Sequence, residues 1–238
     1  MNKAPRVIAV GLAVVILFAL IAYNAANPGK PNFVAWNENM TLGDKETAKH
    51  HYVMYTDLFC PYCDKFSLAV KAHKDEFQKE YLEDKGVYFE IRMTRMNYVS
   101  HKSENSKNAA EGSYCAAKQN KFWDFYYTML DKLWADYFSK GIGVSKDAKE
   151  HIPELEMSYF NDAAEKGELN MDEFTACMDS DEMEKTINNN TNKAGSITGG
   201  GVPYFQFGGA QPAAGFAGNW DTDADWQNAK TMLNAGLK

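Results

Sequence analysis

Apolar and aromatic side chains run almost unbroken through Tyr52, Val53, Met54 and Tyr55, the pattern of a buried strand. The period then changes. Phe66, Val70, His73, Phe77 and Tyr81 recur at helical spacing, which predicts an amphipathic helix beginning near Asp64. After a turn at Glu83-Asp84-Lys85-Gly86, residues 87–93 read as a second strand. Strand, helix and strand make a β-α-β unit, whose crossover lays the two strands side by side in parallel.

From Ser103 the pattern is helical. Ala109, Ala110, Tyr114 and Ala117 mark one face of a first helix. Phe122, Phe125, Tyr126, Met129, Leu130, Leu133, Trp134 and Tyr137 form a broad apolar stripe on a second, which Gly141 and Gly143 break; so aromatic a stripe reads as core. Ile152, Leu155, Tyr159 and Ala163 predict a third helix ending at Gly167. Asn170 caps a fourth, with Phe174, Cys177 and Met178 on its inner face. Residues 186–201, rich in Asn and closing on Gly199-Gly200-Gly201, predict a flexible return to the sheet. Strand character resumes at Val202-Pro203-Tyr204-Phe205-Gln206-Phe207, with a hairpin turn at Gly208-Gly209 and a returning strand over 213–217. Thr222-Asp223-Ala224-Asp225 resembles a capping box ahead of a last helix bearing Trp226, Ala229 and Leu233.

The N-terminus differs in kind. Residues 7–23 carry no charge and follow Lys3 and Arg6, which suits either a spanning helix with a cytoplasmic N-terminus or the core of a signal peptide. The first alternative gives a single-pass protein of the bacterial cell membrane with its C-terminal domain outside. Cleavage around residues 22–26 gives a secreted or periplasmic one instead. Both put the working domain where disulfides persist. Residues 27–49, with Pro28, Gly29 and Pro31, read as a tether with a short edge element around 33–36. The resulting division is 1–26 anchor or signal, 27–49 linker, 50–102 first half of the sheet domain, 103–187 inserted helical subdomain, and 188–238 second half. Setting Lys3 and Arg6 aside leaves 23 basic against 32 acidic residues, an excess of negative charge that argues against nucleic acid as a partner.

The chemistry sits where the first strand meets its helix, at Cys60-Pro61-Tyr62-Cys63. A Cys-x-x-Cys pair at a strand-to-helix junction is the thioredoxin-like redox signature. The first turn of a helix leaves amide N–H groups unpaired, and the helix dipole favours negative charge there. A Cys60 thiolate is therefore expected to be stabilised as an N-cap anion, with its pKa below that of a free cysteine. Pro61 suits the first helical position. Cys60, nearer the exposed end, is the attacking residue; Cys63, turned toward the sheet, resolves the mixed disulfide. A zinc site is the competing reading, but Cys115 and Cys177 stand apart and the histidines are scattered, so no metal is expected. A purely structural disulfide is the other. Cys115 and Cys177 fall on apolar helix faces and are either buried thiols or, in an exported protein, a bonded staple. Asp57 either assists proton transfer or caps local backbone. Arg95 reads as an ion-pair partner.

The sequence resembles the DsbA-like thiol oxidoreductase family, a thioredoxin-like fold with an inserted all-helical subdomain. The resemblance rests on Thr56-Asp57-Leu58-Phe59-Cys60-Pro61-Tyr62-Cys63, on 115–123, on Phe174-Thr175-Ala176-Cys177-Met178 and on Gly201-Val202-Pro203-Tyr204-Phe205. It implies that Pro203 is cis and packs beside the active pair, that the Val202 backbone pairs with an extended substrate, and that Cys115 and Cys177 form a structural disulfide. It also places Tyr62 and Tyr204 on the surface that binds unfolded chains. Pro-Tyr between the cysteines, in place of the Pro-His of the strongest oxidants, leaves the direction of electron flow open. The implied function is an extracytoplasmic oxidase of reduced exported proteins. It acts as a monomer, needs no bound cofactor beyond its own disulfide, and is reoxidised by a quinone-linked membrane protein. A reductase or isomerase, or a chaperone with incidental thiols, are the alternatives.

Overall fold

The computed structural model describes residues 40–96, 103–145, 147–198, 201–208, 213–214 and 216–237. The expected anchor over 7–23, the edge element at 33–36 and the Gly199-Gly200 lead-in lie outside them. Among the described residues no helix is long and apolar enough to cross a membrane.

A five-stranded mixed sheet forms the frame. Its strands are β1 (Thr41–Leu42), β2 (His50–Thr56), β3 (Val87–Met93), β4 (Tyr204–Phe207) and β5 (Ala213–Ala214), arranged in the order β1-β3-β2-β4-β5. Strands β2 and β3 are parallel, with Tyr52 opposite Phe89, as the β-α-β reading requires. Strand β4 runs antiparallel to β2, with Tyr55 opposite Tyr204. Central β2 is buried from Tyr52 through Thr56, which explains its unbroken apolar run. In β3, Val87, Phe89, Ile91 and Met93 are buried while the residues between them are half-buried, the alternation of a strand packed more heavily on one face.

The tether is not wholly a tether. Met40, Thr41 and Leu42 are buried, and β1 pairs antiparallel with the outer edge of β3, so the linker expected over 27–49 contributes a strand of its own. That strand covers an edge that would otherwise offer unpaired backbone groups.

The helix after β2 starts earlier than the apolar spacing suggests and is interrupted. Helix α1 (Pro61–Ala72) begins at Pro61, and the chain breaks at His73 (φ −110°, ψ 33°). It resumes as α2 (Lys74–Phe77) and a π-helical turn (Gln78–Asp84). His73, expected on the continuous apolar face, instead stacks on Trp226 with centroids 5.5 Å apart and bonds Asp223 at 3.0 Å. Trp226 belongs to α8 (Thr222–Ala235), which Asp221 caps by accepting from the Asp223 and Ala224 amides. The expected box from Thr222 to Asp225 does not form, because the Asp225 carboxylate accepts from the amides of Asn219 and Trp220 in the preceding loop. Phe66 of α1 packs on Phe205 at 4.9 Å and Phe216 at 5.5 Å, fixing the motif helix to the sheet.

Between β3 and β4 lies the helical insertion: α3 (Ser103–Lys118), α4 (Phe122–Asp136), α5 (Met157–Lys166), α6 (Met171–Met178) and α7 (Glu184–Thr198). Cys115 and Cys177 are bonded, tying α3 to α6. The third expected helix begins only at Met157. Pro153 disfavours helix in the residue before it. Asn105 then takes this segment's polar groups, donating to the Pro153 carbonyl at 2.7 Å and accepting from the Leu155 amide at 2.8 Å. Helix α7 replaces the flexible return expected over 186–201, and the subdomain boundary set at 187 falls inside it. Among its described side chains Ile187 and Ala194, one heptad apart, are the buried ones, and Asn190 Nδ2 donates to the Met93 carbonyl and the Tyr114 hydroxyl. The returning strand is shorter than expected, Ala213–Ala214 rather than 213–217.

Candidate active site

Cys60 is the N-cap of α1, with extended backbone (φ −97°, ψ 112°), and Pro61 occupies the first turn. Its amide donates to the Asp57 carbonyl, while its own carbonyl accepts from the Cys63 and Asp64 amides at 3.0 and 3.1 Å. The sequence therefore turns sharply out of β2 and into a helix with both sulfurs at its mouth. The pair is present as the dithiol.

The two thiols differ from expectation in one respect. Cys60 is not the exposed member of the motif: it is 2% exposed and Cys63 is 0%, whereas Tyr62 between them is 38% exposed. In this dithiol the Cys60 sulfur accepts nothing from the first-turn amides. Its thiol instead donates to the Val202 carbonyl at 3.3 Å. The Val202–Pro203 bond is cis, and both residues are buried. The segment before β4 is thus brought against the motif from 142 positions away. Burial, and then the neighbouring Cys60, push the Cys63 thiol well above its ordinary value. Cys63 therefore resists ionisation.

Asp57 is a capping residue. Its Oδ1 accepts from the Phe59 amide at 2.9 Å and its Oδ2 from the Met96 amide at 2.8 Å, which holds the turn ahead of Cys60 against the end of β3. Tyr204 is not on a binding surface: it is 2% exposed, its ring 5.6 Å from that of Tyr55. Its ring chemistry was legible, but its position on a central strand was what decided its burial. Tyr62 remains the exposed aromatic of the site. Arg95 faces Glu184 at 3.8 Å, an ion pair as expected. Among the described residues no group of three or more His, Cys, Asp or Glu is placed to hold a metal ion.

Sequence reasoning passed over the two residues after the motif. Asp64 is 0% exposed, and neither carboxylate oxygen has a hydrogen-bond partner among the described residues. Burial, with Cys60 and Asp57 adding repulsion, pushes its pKa well above the ordinary 3.8. An acid in the first turn of a helix normally reads as a solvated complement to the dipole. The helical insertion covers this one, so its burial is a tertiary fact. Lys65 is 8% exposed, and its Nζ lies 4.7 Å from the Tyr62 ring centroid and 4.9 Å from that of Trp220.

A family model described as thioredoxin matches residues 36–213. No curated protein matches the chain significantly. Among solved structures, a thioredoxin-like oxidoreductase from Silicibacter pomeroyi is 18% identical with a TM-score of 0.54, over 82% of this chain and 93% of that one. A single-residue variant of Wolbachia pipientis alpha-DsbA1 is 16% identical with a TM-score of 0.56, over 84% and 92%. Proteus mirabilis ScsC in a compact conformation is 17% identical with a TM-score of 0.52, over the full length of both. At these identities the likeness is one of fold.

Proposed function

This chain belongs to the thioredoxin family, and from that premise we propose that its Cys60–Cys63 pair oxidises reduced proteins outside the cytoplasm. The chain is a thioredoxin-fold thiol–disulfide oxidoreductase; the direction of electron flow is the proposal. The observation that carries it is the placement of Cys60 at the N-terminus of α1. An anion at a helix N-terminus is stabilised, and whatever stabilises the thiolate stabilises the reduced pair. A disulfide whose reduced form is favoured is an oxidant.

In the proposed reaction a substrate thiolate attacks Cys60 Sγ of the Cys60–Cys63 disulfide. The S–S bond breaks, Cys63 leaves as a thiolate and takes up a proton, and a substrate–Cys60 mixed disulfide forms. A second substrate thiolate then attacks the substrate sulfur and expels the Cys60 thiolate. The substrate has lost two electrons and the pair has gained them. During this exchange an extended substrate strand takes the Val202 carbonyl that the Cys60 thiol occupies in the dithiol, with Tyr62 as the exposed contact. The substrates are reduced, unfolded exported proteins. The chain acts as a monomer, tethered through residues 7–23 to the bacterial cell membrane with its C-terminal domain outside. A quinone-linked membrane protein returns the pair to the disulfide.

The test is the equilibrium potential of Cys60–Cys63 against glutathione, with a Cys115→Ser/Cys177→Ser control. A value near about −120 mV supports the oxidase; one near about −270 mV overturns it and makes the protein a reductant. Replacing Cys60 by Ser should abolish oxidative refolding of a reduced substrate protein. Retained activity would mean a binding module with incidental thiols.

A further inference from the structure

Two tryptophans and a buried ammonium meet where the helical insertion borders α1. Lys65, Leu68 and Ala72 follow one another at helical spacing and share a face of α1. Trp134, near the end of α4, and Trp220, in the loop ahead of α8, have ring centroids 5.1 Å apart. All five border one cavity of about 380 Å³. That volume falls at the small end of the range for small-molecule sites, which concentrate at such junctions between substructures.

The aromatic wall is pre-formed. Trp220 has left-handed backbone (φ 72°), uncommon for a residue with a side chain, and the Asp225 carboxylate fixes it by accepting from its amide at 3.0 Å. The Trp220 ring stacks on Phe138 at 5.2 Å. What the fold leaves unmatched is a charge. Lys65 is 8% exposed, and its Nζ lies 4.9 Å from the Trp220 ring centroid. Among the described residues no carboxylate comes within ion-pair distance of this Nζ and no oxygen accepts from it. Asp225 attracts it from farther off, but both Asp225 oxygens already accept, from the Asn219 and Trp220 amides. Burial holds the ammonium below its ordinary value against the pull of Asp225 and Cys60, so the countercharge at hand does not offset the burial. The other lysine at the cavity, Lys71, is already taken: its Nζ donates to both Asp131 oxygens at 2.6 Å.

We propose that this cavity binds a small aromatic carboxylate, its ring against Trp134 and Trp220 and its carboxylate accepting from the Lys65 ammonium. Both halves of the ligand follow from the lining. Aromatic rings pack favourably on tryptophan, and Leu68 and Ala72 add apolar surface. A lysine with no acceptor leaves three N–H donors for an anionic oxygen, and such a bond is charge-assisted. A single ammonium suits a carboxylate. A phosphate calls for more donors than the lining offers, because Lys71 is taken and Asp221 already caps α8, whose first residue, Thr222, borders the cavity. The site takes no part in thiol exchange, and it stands whether the cysteine pair is an oxidant or a reductant.

The experiment titrates the full-length protein with naphthoate by isothermal calorimetry, and beside it with naphthamide, which keeps the ring and lacks the charge. The expected result is one naphthoate per chain, bound roughly tenfold or more tighter than the amide, the factor a hydrogen bond to a charged group entails. Lys65→Met should remove that preference and leave amide binding in place. Trp134→Leu should weaken both ligands, which locates them in this cavity. Equal affinity for acid and amide on the unaltered protein, or binding of neither, would overturn the proposal. So would a Trp134→Leu protein that binds naphthoate as before. The acid–amide comparison needs no variant to fold, and far-ultraviolet circular dichroism checks the variants. A last titration uses acetyl-Gly-Gly-Phe with a free C-terminal carboxylate. Tighter binding of this peptide than of naphthoate would make the occupant the end of a polypeptide and overturn the assignment to a small molecule. The redox reading is tested apart from this, by equilibration with glutathione.

Discussion

Replacing Asp64 by Leu should make the folded protein more stable, and by an amount that depends on pH. The carboxyl is wholly buried and both of its oxygens lack partners among the described residues. Leaving a buried polar group unpaired costs about 1–3 kcal/mol, and leucine is an apolar side chain of comparable reach that removes the cost. In a domain of this size each kcal/mol corresponds to roughly 2–4 °C in Tm. Asp64 has a folded-state pKa raised above its ordinary 3.8. Between those two values the folded state binds the proton and the unfolded state does not, so stability falls as pH rises through that window. D64L has no such proton. Its advantage over the parent should therefore be smallest well below pH 3.8, where both states of the parent are protonated, and should widen toward neutral pH. Urea unfolding of both proteins at several pH values, in the reduced state, measures this directly. A parallel pair of pH profiles, or a D64L protein less stable than the parent at pH 7, would mean that the carboxylate is ionised and held by a partner, and the reasoning fails.

Two further outcomes follow from the cysteines. Replacing Cys115 and Cys177 by Ser opens a loop of 62 positions and should cost up to about 4 kcal/mol in denaturant unfolding, while leaving the Cys60–Cys63 potential in place. Cys63, pushed up by burial, should stay unreactive toward iodoacetamide at neutral pH in a folded Cys60→Ser protein and react once denatured; rapid alkylation of the folded form would contradict its burial.

Much of the fold was legible because its signals are local. The apolar run of β2, the alternation of β3 and the Pro at the head of α1 each report their own structure. What was not legible depends on distant partners. Helix α7 reads as a polar loop because Asn188, Asn189, Asn190 and Thr191 are weak helix formers. It folds because Ile187 and Ala194 dock and Asn190 caps the end of β3. Residues 152–155 carry helical spacing, yet Asn105, some fifty positions earlier, takes their backbone groups. The site divides in the same way. The motif named Cys60 and Cys63, and the family resemblance named Pro203. Asp64 and Lys65 look like an ordinary solvated pair of charges on a helix, and only the covering insertion and Trp220 make them otherwise. Tyr204 passed for a surface aromatic for want of the same information.

The reach of 142 positions between Cys60 and the Val202 carbonyl has a consequence for how the molecule is made. At ordinary rates of synthesis, about 5–20 residues per second, the two cysteines exist for roughly 7–30 s before the strand that shelters Cys60 has been polymerised. In that interval Cys115 and Cys177 also appear, and the chain holds four thiols without the architecture that sorts them. Loop closure costs less for the closer pair, so an oxidant that reaches the emerging chain, taking two electrons, joins Cys60 to Cys63 before it joins either to Cys115. The short spacing that serves exchange in the finished enzyme also guards the nascent chain against its own misjoined bonds.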